Sequence, residues 1–152
     1  MHTKKKREWI LLADRAHAKI YTRNYVDGAM QQLLMLEHPA ARDFQHSQGT
    51  DRPGRGHGSG SHRMHAYEDH ADFPEQESAA FLHGVAEQVN EAVAQDKMDE
   101  VILVALPKTL AVLKSGLNEQ AKSKVGAEYA KNLVGSPEGA LKDHLTKLDD
   151  QA

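Results

Sequence analysis

Apolar residues first gather in two short runs, "EWILLA" at 8–13 and "HAKIYT" at 17–22, separated by "DRA". Runs this short, one continuous and one alternating, fit strands, and Asp14 is a natural turn former between them, so the pair predicts a β-hairpin. After "VDGA", where Asp27-Gly28 supplies the positive φ of a tight turn, "MQQLLMLE" at 30–37 predicts a third strand. His38-Pro39 closes it, because proline has no N–H to give to a ladder.

The pattern then disappears. Between about 40 and 72 neither a 3.6-residue nor a two-residue period is present, and glycine, arginine and histidine dominate: "PGRGHGSGSHRMHAYEDH" occupies 53–70. A stretch this long without periodicity inside one domain is normally functional or disordered.

Helical periodicity returns after "DFPE". Asp72 is the expected N-cap there, Glu75 its capping-box partner and Pro74 a first-turn residue. Phe81, Leu82, Val85, Val89 and Val93 share one face, with Glu87, Gln88, Glu91 and Gln95 opposite. "VILVAL" at 101–106 is the continuous β-branched run expected of a strand covered on both faces. Pro107 opens a second helix with Leu110, Leu113 and Leu117 along one stripe, and "KVGAEYAK" at 124–131 fits a further short strand. Ser136-Pro137 predicts the start of a last helix with Leu141, Leu145 and Leu148 inward. The order βββ, loop, αβαβα predicts an α/β fold: one domain over 1–152, a mixed β-sheet flanked by helices, and a long Gly/His-rich loop at 40–72. Strands 101–106 and 124–131 each follow a helix, as parallel strands require.

Composition narrows the chemistry. A chain of 152 residues can bury a sizeable core, and the absence of cysteine removes disulfides and thiolate metal sites. Nineteen basic against twenty-two acidic residues, a net charge of −3, argue against a globally basic nucleic-acid coat. Local patches remain: Lys4 to Arg7, and Arg42, Arg52, Arg55 and Arg63. The apolar run behind the basic N-terminus breaks at Asp14-Arg15, and no run of eighteen apolar residues occurs. Neither export signal nor membrane span is expected, and the protein reads as cytoplasmic with no membrane partner.

The segment 40–72 carries the candidate sites. Gly54, Gly56, Gly58 and Gly60 offer backbone amides that can approach phosphates, Arg52, Arg55 and Arg63 suit phosphate oxygens, and His57, His62 and His65 can stack or donate hydrogen bonds. No Gly-Lys-Ser/Thr and no strand-linked dinucleotide fingerprint accompany them, which points to structured RNA rather than a nucleotide. The rival reading takes His57, His62, His65 and His70 as zinc or nickel ligands, although their spacing matches no known ligand set. Without that site no cofactor is expected, and the plainest reading of all is a solvated loop. Asp14 as a metal-nuclease carboxylate is set against a turn role; no comparably placed carboxylates lie on the other strands, which favours the turn. Trp9 reads as a core aromatic and "KKKR" as a solvated tail. No nucleophile elbow and no paired-carboxylate motif is present, so the sequence favours a binding domain over an enzyme.

"WILLADRAHAKIY" at 9–21 and "LPKTLAVLKSGLNEQAKSKVGAEYAKNL" at 106–133 resemble the bacterial host attachment proteins, also described as proteins required for attachment to host cells. That family is in turn similar to the middle domain of archaeal and eukaryotic peptide-chain release factors and of Pelota-type rescue factors, so the resemblance implies a ribonuclease-H-like fold. In release factors a Gly-Gly-Gln loop lies between the early strands and the long helix. The Arg/Gly/His segment stands at that place in chain order but lacks Gly-Gly-Gln. The resemblance therefore implies a ribosome- or structured-RNA-directed role in translational rescue or dormancy, without peptidyl-tRNA hydrolysis. A metal-binding enzyme or sensor and a factor acting directly in attachment are the alternatives. Ala111, Lys114 and Asn132 stand where the family often has glycine, arginine and aspartate; if that aspartate caps or turns, Asn132 can replace it.

Overall fold

The computed structural model describes residues 6–23, 28–39 and 74–151. Five strands, β1 (Glu8–Ala13), β2 (His17–Arg23), β3 (Met30–Glu37), β4 (Glu100–Val104) and β5 (Val125–Tyr129), alternate in the second half with helices α1 (Glu75–Ala94), α2 (Pro107–Ser115), the single turn α3 (Glu119–Lys122) and α4 (Glu138–Gln151). They form one sheet in the order β3-β2-β1-β4-β5. β1 runs antiparallel to β2, with Leu11 opposite Ile20, and parallel to β4, with Ile10 opposite Ile102. β2–β3 is antiparallel and β4–β5 parallel. The mixed sheet flanked by helices, an antiparallel meander joined to two parallel strands, is the architecture the sequence predicts.

Side-chain alternation explains why the central strands are so apolar. Trp9, Leu11, Ala13, Val101, Leu103 and Ala105 face one side, beneath Leu82, Val85 and Val89 of α1 and Leu110 and Leu113 of α2. Ile10, Leu12, Ile102 and Val104 face the other, beneath Leu141 and Leu145 of α4 and the Leu133-Val134 turn. Both faces are covered, so "WILLA" and "VILV" carry no polar alternation. Leu11, Leu12 and Leu103 are almost fully buried, each contributing about 1.5–3 kcal/mol of transfer free energy. The outer strand β3 is less well covered: Leu33 and Met35 are exposed, and Leu33 is passed over in the ladder, where Ile20 pairs with Leu34 and Tyr21 with Gln32.

Several boundaries depart from expectation. The capping box is absent, because α1 begins at Glu75 with Pro74 as an extended N-cap and no side-chain cap. Glu75 is thus the first helical residue, too early to reach back to a cap. Asp72 lies outside the described residues. α1 ends in a left-handed residue, Asp96 at φ 57°. The N–H of Asp96 reaches Val93 O at 3.1 Å and that of Lys97 reaches Ala92 O at 2.8 Å, closing a Schellman motif. The one-turn α3 was not predicted; Asn118 starts it by accepting the Ala121 N–H at 2.9 Å. Gly28 does take the positive φ, 72°, expected of the turn before β3.

The solvated-tail reading of "KKKR" fails at its last two residues. Arg7 Nε and Nη2 donate to Asp99 at 3.1 and 3.0 Å, and Nη1 donates to the Asp96 carbonyl at 2.6 Å. Lys6 pairs with Glu100 at 3.5 Å. The hydrogen bonds that Arg7 donates to Asp99 and Asp96 hold its guanidinium well above its ordinary pKa. Arg7 therefore joins the start of β1 to the α1–β4 turn.

Candidate functional site

β1, β4 and β5 are parallel, and β3, antiparallel to β2, points the same way. Their carboxyl ends share one edge of the sheet, outside which open α/β sheets commonly hold their ligands. His38, just past β3, gives its N–H to Ala16 O at 2.9 Å and its ring packs on Phe81 of α1 at 6.0 Å. The segment 40–73 thus leaves from β3 and rejoins at α1 on this same edge.

The turn after β1 is built by Asp14. Its carboxylate is buried, and Oδ1 accepts the backbone N–H groups of Ala16 at 2.9 Å and His17 at 2.7 Å. The turn role expected for Asp14 is the one seen. His17 lies between two carboxylates: Nε2 is 2.8 Å from Glu37 Oε2 and Nδ1 3.5 Å from Asp14 Oδ1. Burial pushes the His17 pKa down, but the hydrogen bonds and charges of Asp14 and Glu37 outweigh it, so the imidazole titrates above 6.5. Among the described residues no three histidine or carboxylate side chains are arranged to hold a metal ion.

Next to this turn, Arg15 and Lys108 flank Glu75, at 3.7 and 3.5 Å from the same Oε1. A cavity of about 210 Å³ opens between α1 and α2, lined by Arg15, Glu75, Ser78, Lys108 and Thr109 among others. It continues over the sheet edge into one of about 190 Å³ that reaches Asp14, Leu106 and Asn132. Asn132 accepts the Val134 N–H at 3.2 Å, so this asparagine performs a turn role. Lys114 pairs with Glu128 at 3.1 Å.

The opposite, amino-terminal edge has a larger cavity, about 340 Å³, lined by Lys6, Glu8, Arg23, Gly28, Glu100, Lys142 and Thr146. Most of its charge is compensated internally: Arg23 bonds Glu8 at 2.7 Å and Asp149 at 3.0 Å, and Tyr129 donates to Asp149 at 2.8 Å. Burial and the hydrogen bond to Asp149 push the Tyr129 hydroxyl up to about 12. These groups bind one another and fix α4 on the sheet.

The residues singled out from the sequence, Arg52, Gly54, Arg55, Gly56, His57, Gly58, Gly60, His62, Arg63, His65 and His70, lie outside the described residues. Sequence reasoning passed over Arg15, Ser78, Lys108 and Thr109. A signal for three of them was present: Asp14-Arg15 directly follows "WILLA", and Lys108-Thr109 follows "VILVAL" by one residue. Polar residues at the carboxyl ends of adjacent parallel strands are the positions where such sheets place their binding groups.

No curated protein matches the chain. Among solved structures, the archaeal translation termination factor aRF1 is similar with a TM-score of 0.45 and 13% identity, over 94% of this chain and 39% of that one. The chain thus spans well under half the length of that factor. The family described as "Protein required for attachment to host cells" matches residues 9–145, which include every strand but the first residue of β1, as well as the turn of Asp14 and the crevice of Arg15 and Lys108. The chain belongs to that family.

Proposed function

We propose that this protein is a non-catalytic binding domain for structured RNA, on the ribosome or elsewhere in translation, and that the segment 52–65 makes the principal contact. Arg52, Arg55 and Arg63 pair with phosphates, Gly56, Gly58 and Gly60 permit close approach, and His57, His62 and His65 stack or donate hydrogen bonds. The observation that carries this reading is the site of attachment of the segment. The connection 40–73, which contains 52–65, leaves β3 and rejoins at α1 on the carboxyl edge, beside Arg15 and Lys108, whose ion pairs with Glu75 are long and, at Lys108, exposed. Pairs of that kind contribute little and yield readily to a phosphate. The family description, a protein required for attachment to host cells, states a requirement and no molecular mechanism, so an RNA-directed role is compatible with it.

Sedimentation of the untagged protein with ribosomes through sucrose gradients, at low and high salt, tests the proposal. Salt-sensitive co-migration is expected, lost in an Arg52/Arg55/Arg63→Ala variant. A variant that co-migrates as the parent does would overturn it. Stoichiometric zinc or nickel that disappears in His62→Ala would replace it with the metal-site reading.

A further inference from the structure

We infer that the crevice between the first turns of α1 and α2 is a binding site for a phosphate group. Three independent features converge there. The first is a pair of helix amino termini, neither with a side-chain N-cap. The first intrahelical bonds are Ser78 N–H to Pro74 O and Leu110 N–H to Leu106 O, so the N–H groups of Glu75, Gln76, Glu77, Lys108 and Thr109 lack an acceptor within their helices. The first turn of α1 holds two glutamates, whereas that of α2 holds no acidic residue and leaves its dipole uncompensated.

The second feature is a pair of buried hydroxyls. Ser78 is 4% and Thr109 6% exposed, and both line the crevice. Neither hydroxyl makes a hydrogen bond among the described residues, a rare condition for buried polar groups. One ligand placed between them would satisfy both, since a phosphate oxygen accepts from each.

The third feature is charge at the mouth. Arg15 and Lys108 approach the same Glu75 oxygen at 3.7 and 3.5 Å, so one oxyanion already sits where the two cations meet. The Glu75 side chain is 74% exposed and free to swing outward. Leu82, Ala79 and Val112 complete the wall and strengthen charge interactions by excluding water. The cavity, about 210 Å³, is several times the ~30 Å³ share of one water. Glu75 acts as an internal competitor, displaced when phosphate enters.

The residues lie on α1, α2 and the β1–β2 turn and owe nothing to the segment 52–65, so the site stands if the RNA reading fails. The phosphate comes either from a small phosphorylated molecule or from an RNA backbone. Amide NMR of the full chain, titrated with inorganic phosphate against sodium chloride at matched ionic strength, should show saturable shifts at Gln76–Ser78 and Lys108–Leu110. Ser78→Ala with Thr109→Val should weaken binding at least tenfold, Lys108→Ala severalfold, and Glu75→Gln should tighten it. The exposed Lys108 and Glu75 changes leave the core untouched, so they test the site even where the double variant folds poorly. A short single-stranded RNA that competes with phosphate for these amides assigns the site to the backbone. Phosphate shifts unaffected by RNA assign it to a small phosphorylated ligand. Absence of saturable shifts at both helix starts, or Glu75→Gln and Lys108→Ala variants that bind as the parent does, overturns the inference. Loss of ribosome co-migration in Arg52/Arg55/Arg63→Ala with phosphate binding intact separates this site from the RNA-binding segment.

Discussion

Asn90 Oδ1, on α1, accepts the backbone N–H of Asn118 at 3.0 Å, across the join between α2 and α3. The Asn90 amide group also donates to Gly116 O at 3.0 Å. One buried side chain thereby satisfies two backbone groups in a turn with no ladder of its own. Replacing it with leucine, similar in size but without polar atoms, strands both. Asn90→Leu is expected to cost about 2–4 kcal/mol, read as a fall in the urea midpoint at unchanged m-value. Asn118→Ala, which removes only the cap of α3, should cost about 1 kcal/mol.

At Asp96 two effects oppose one another. The residue holds a left-handed φ of 57°, which glycine adopts without steric cost. Its carboxylate receives Arg7 Nη2 at 2.9 Å, but that side chain is 82% exposed, and exposed pairs contribute little. The carbonyl that accepts Arg7 Nη1 belongs to the backbone and survives substitution. The conformational effect wins: Asp96→Gly should stabilise the protein by about 0.5–1 kcal/mol, whereas Asp99→Ala, which loses both guanidinium bonds to that residue and the Arg7 N–H contact, should destabilise it in the same thermal or urea measurement.

The raised pKa of His17 fixes a sign. Burial disfavours the imidazolium, but Asp14 and Glu37 favour it more, so the folded value exceeds the unfolded one of 6.5. The contribution to stability is complete below pH 6.5 and is lost as pH rises through the folded value. The urea midpoint measured between pH 5.5 and 8.5 should therefore carry a component that falls with pH, and His17→Gln should remove it. A slope identical in parent and variant would refute the assignment.

Thr109→Val offers a stability test at the crevice. The buried hydroxyl lacks a hydrogen-bond partner among the described residues, so an isosteric methyl removes a desolvated polar group without opening a cavity. The variant should be more stable than the parent by about 0.5–1 kcal/mol, as read by thermal unfolding without phosphate. Added phosphate should narrow the gap, because only the parent gains the full hydrogen-bond set on binding.

The sheet was legible because its signals are local. The break at Asp14, the glycine at 28 and the proline at 39 mark the limits of β1, β2 and β3, and Val125–Tyr129 falls inside the predicted 124–131. The start of α1 was misplaced because two cap grammars competed: Asp72 and Glu75 fit a capping box, while Pro74 as the actual N-cap starts the helix two residues later than that box would. α3 was missed because one turn has no period to detect, and its cap, Asn118, is held in place by Asn90 from 28 residues away in the chain. Arg7 shows the same limit, since nothing near "KKKR" announces carboxylates at 96 and 99. The crevice was the least legible part. It is made where α1, α2 and the β1–β2 turn meet, and only the polar residues that follow two apolar strands hint at it.

The meeting of His38 with Phe81 has a consequence for how this chain can change over generations. The two ends of the connection between β3 and α1 are fixed by the folded core itself, through a ring contact at 6.0 Å and the bond from His38 to Ala16. In general the entropy of closing a loop between two fixed points grows only logarithmically with loop length, so doubling the length costs about 0.6 kcal/mol. The five-stranded framework is thus nearly indifferent to what is spliced between residues 40 and 73. A related chain with a longer or shorter connection at this place would meet little entropic resistance from the sheet beneath.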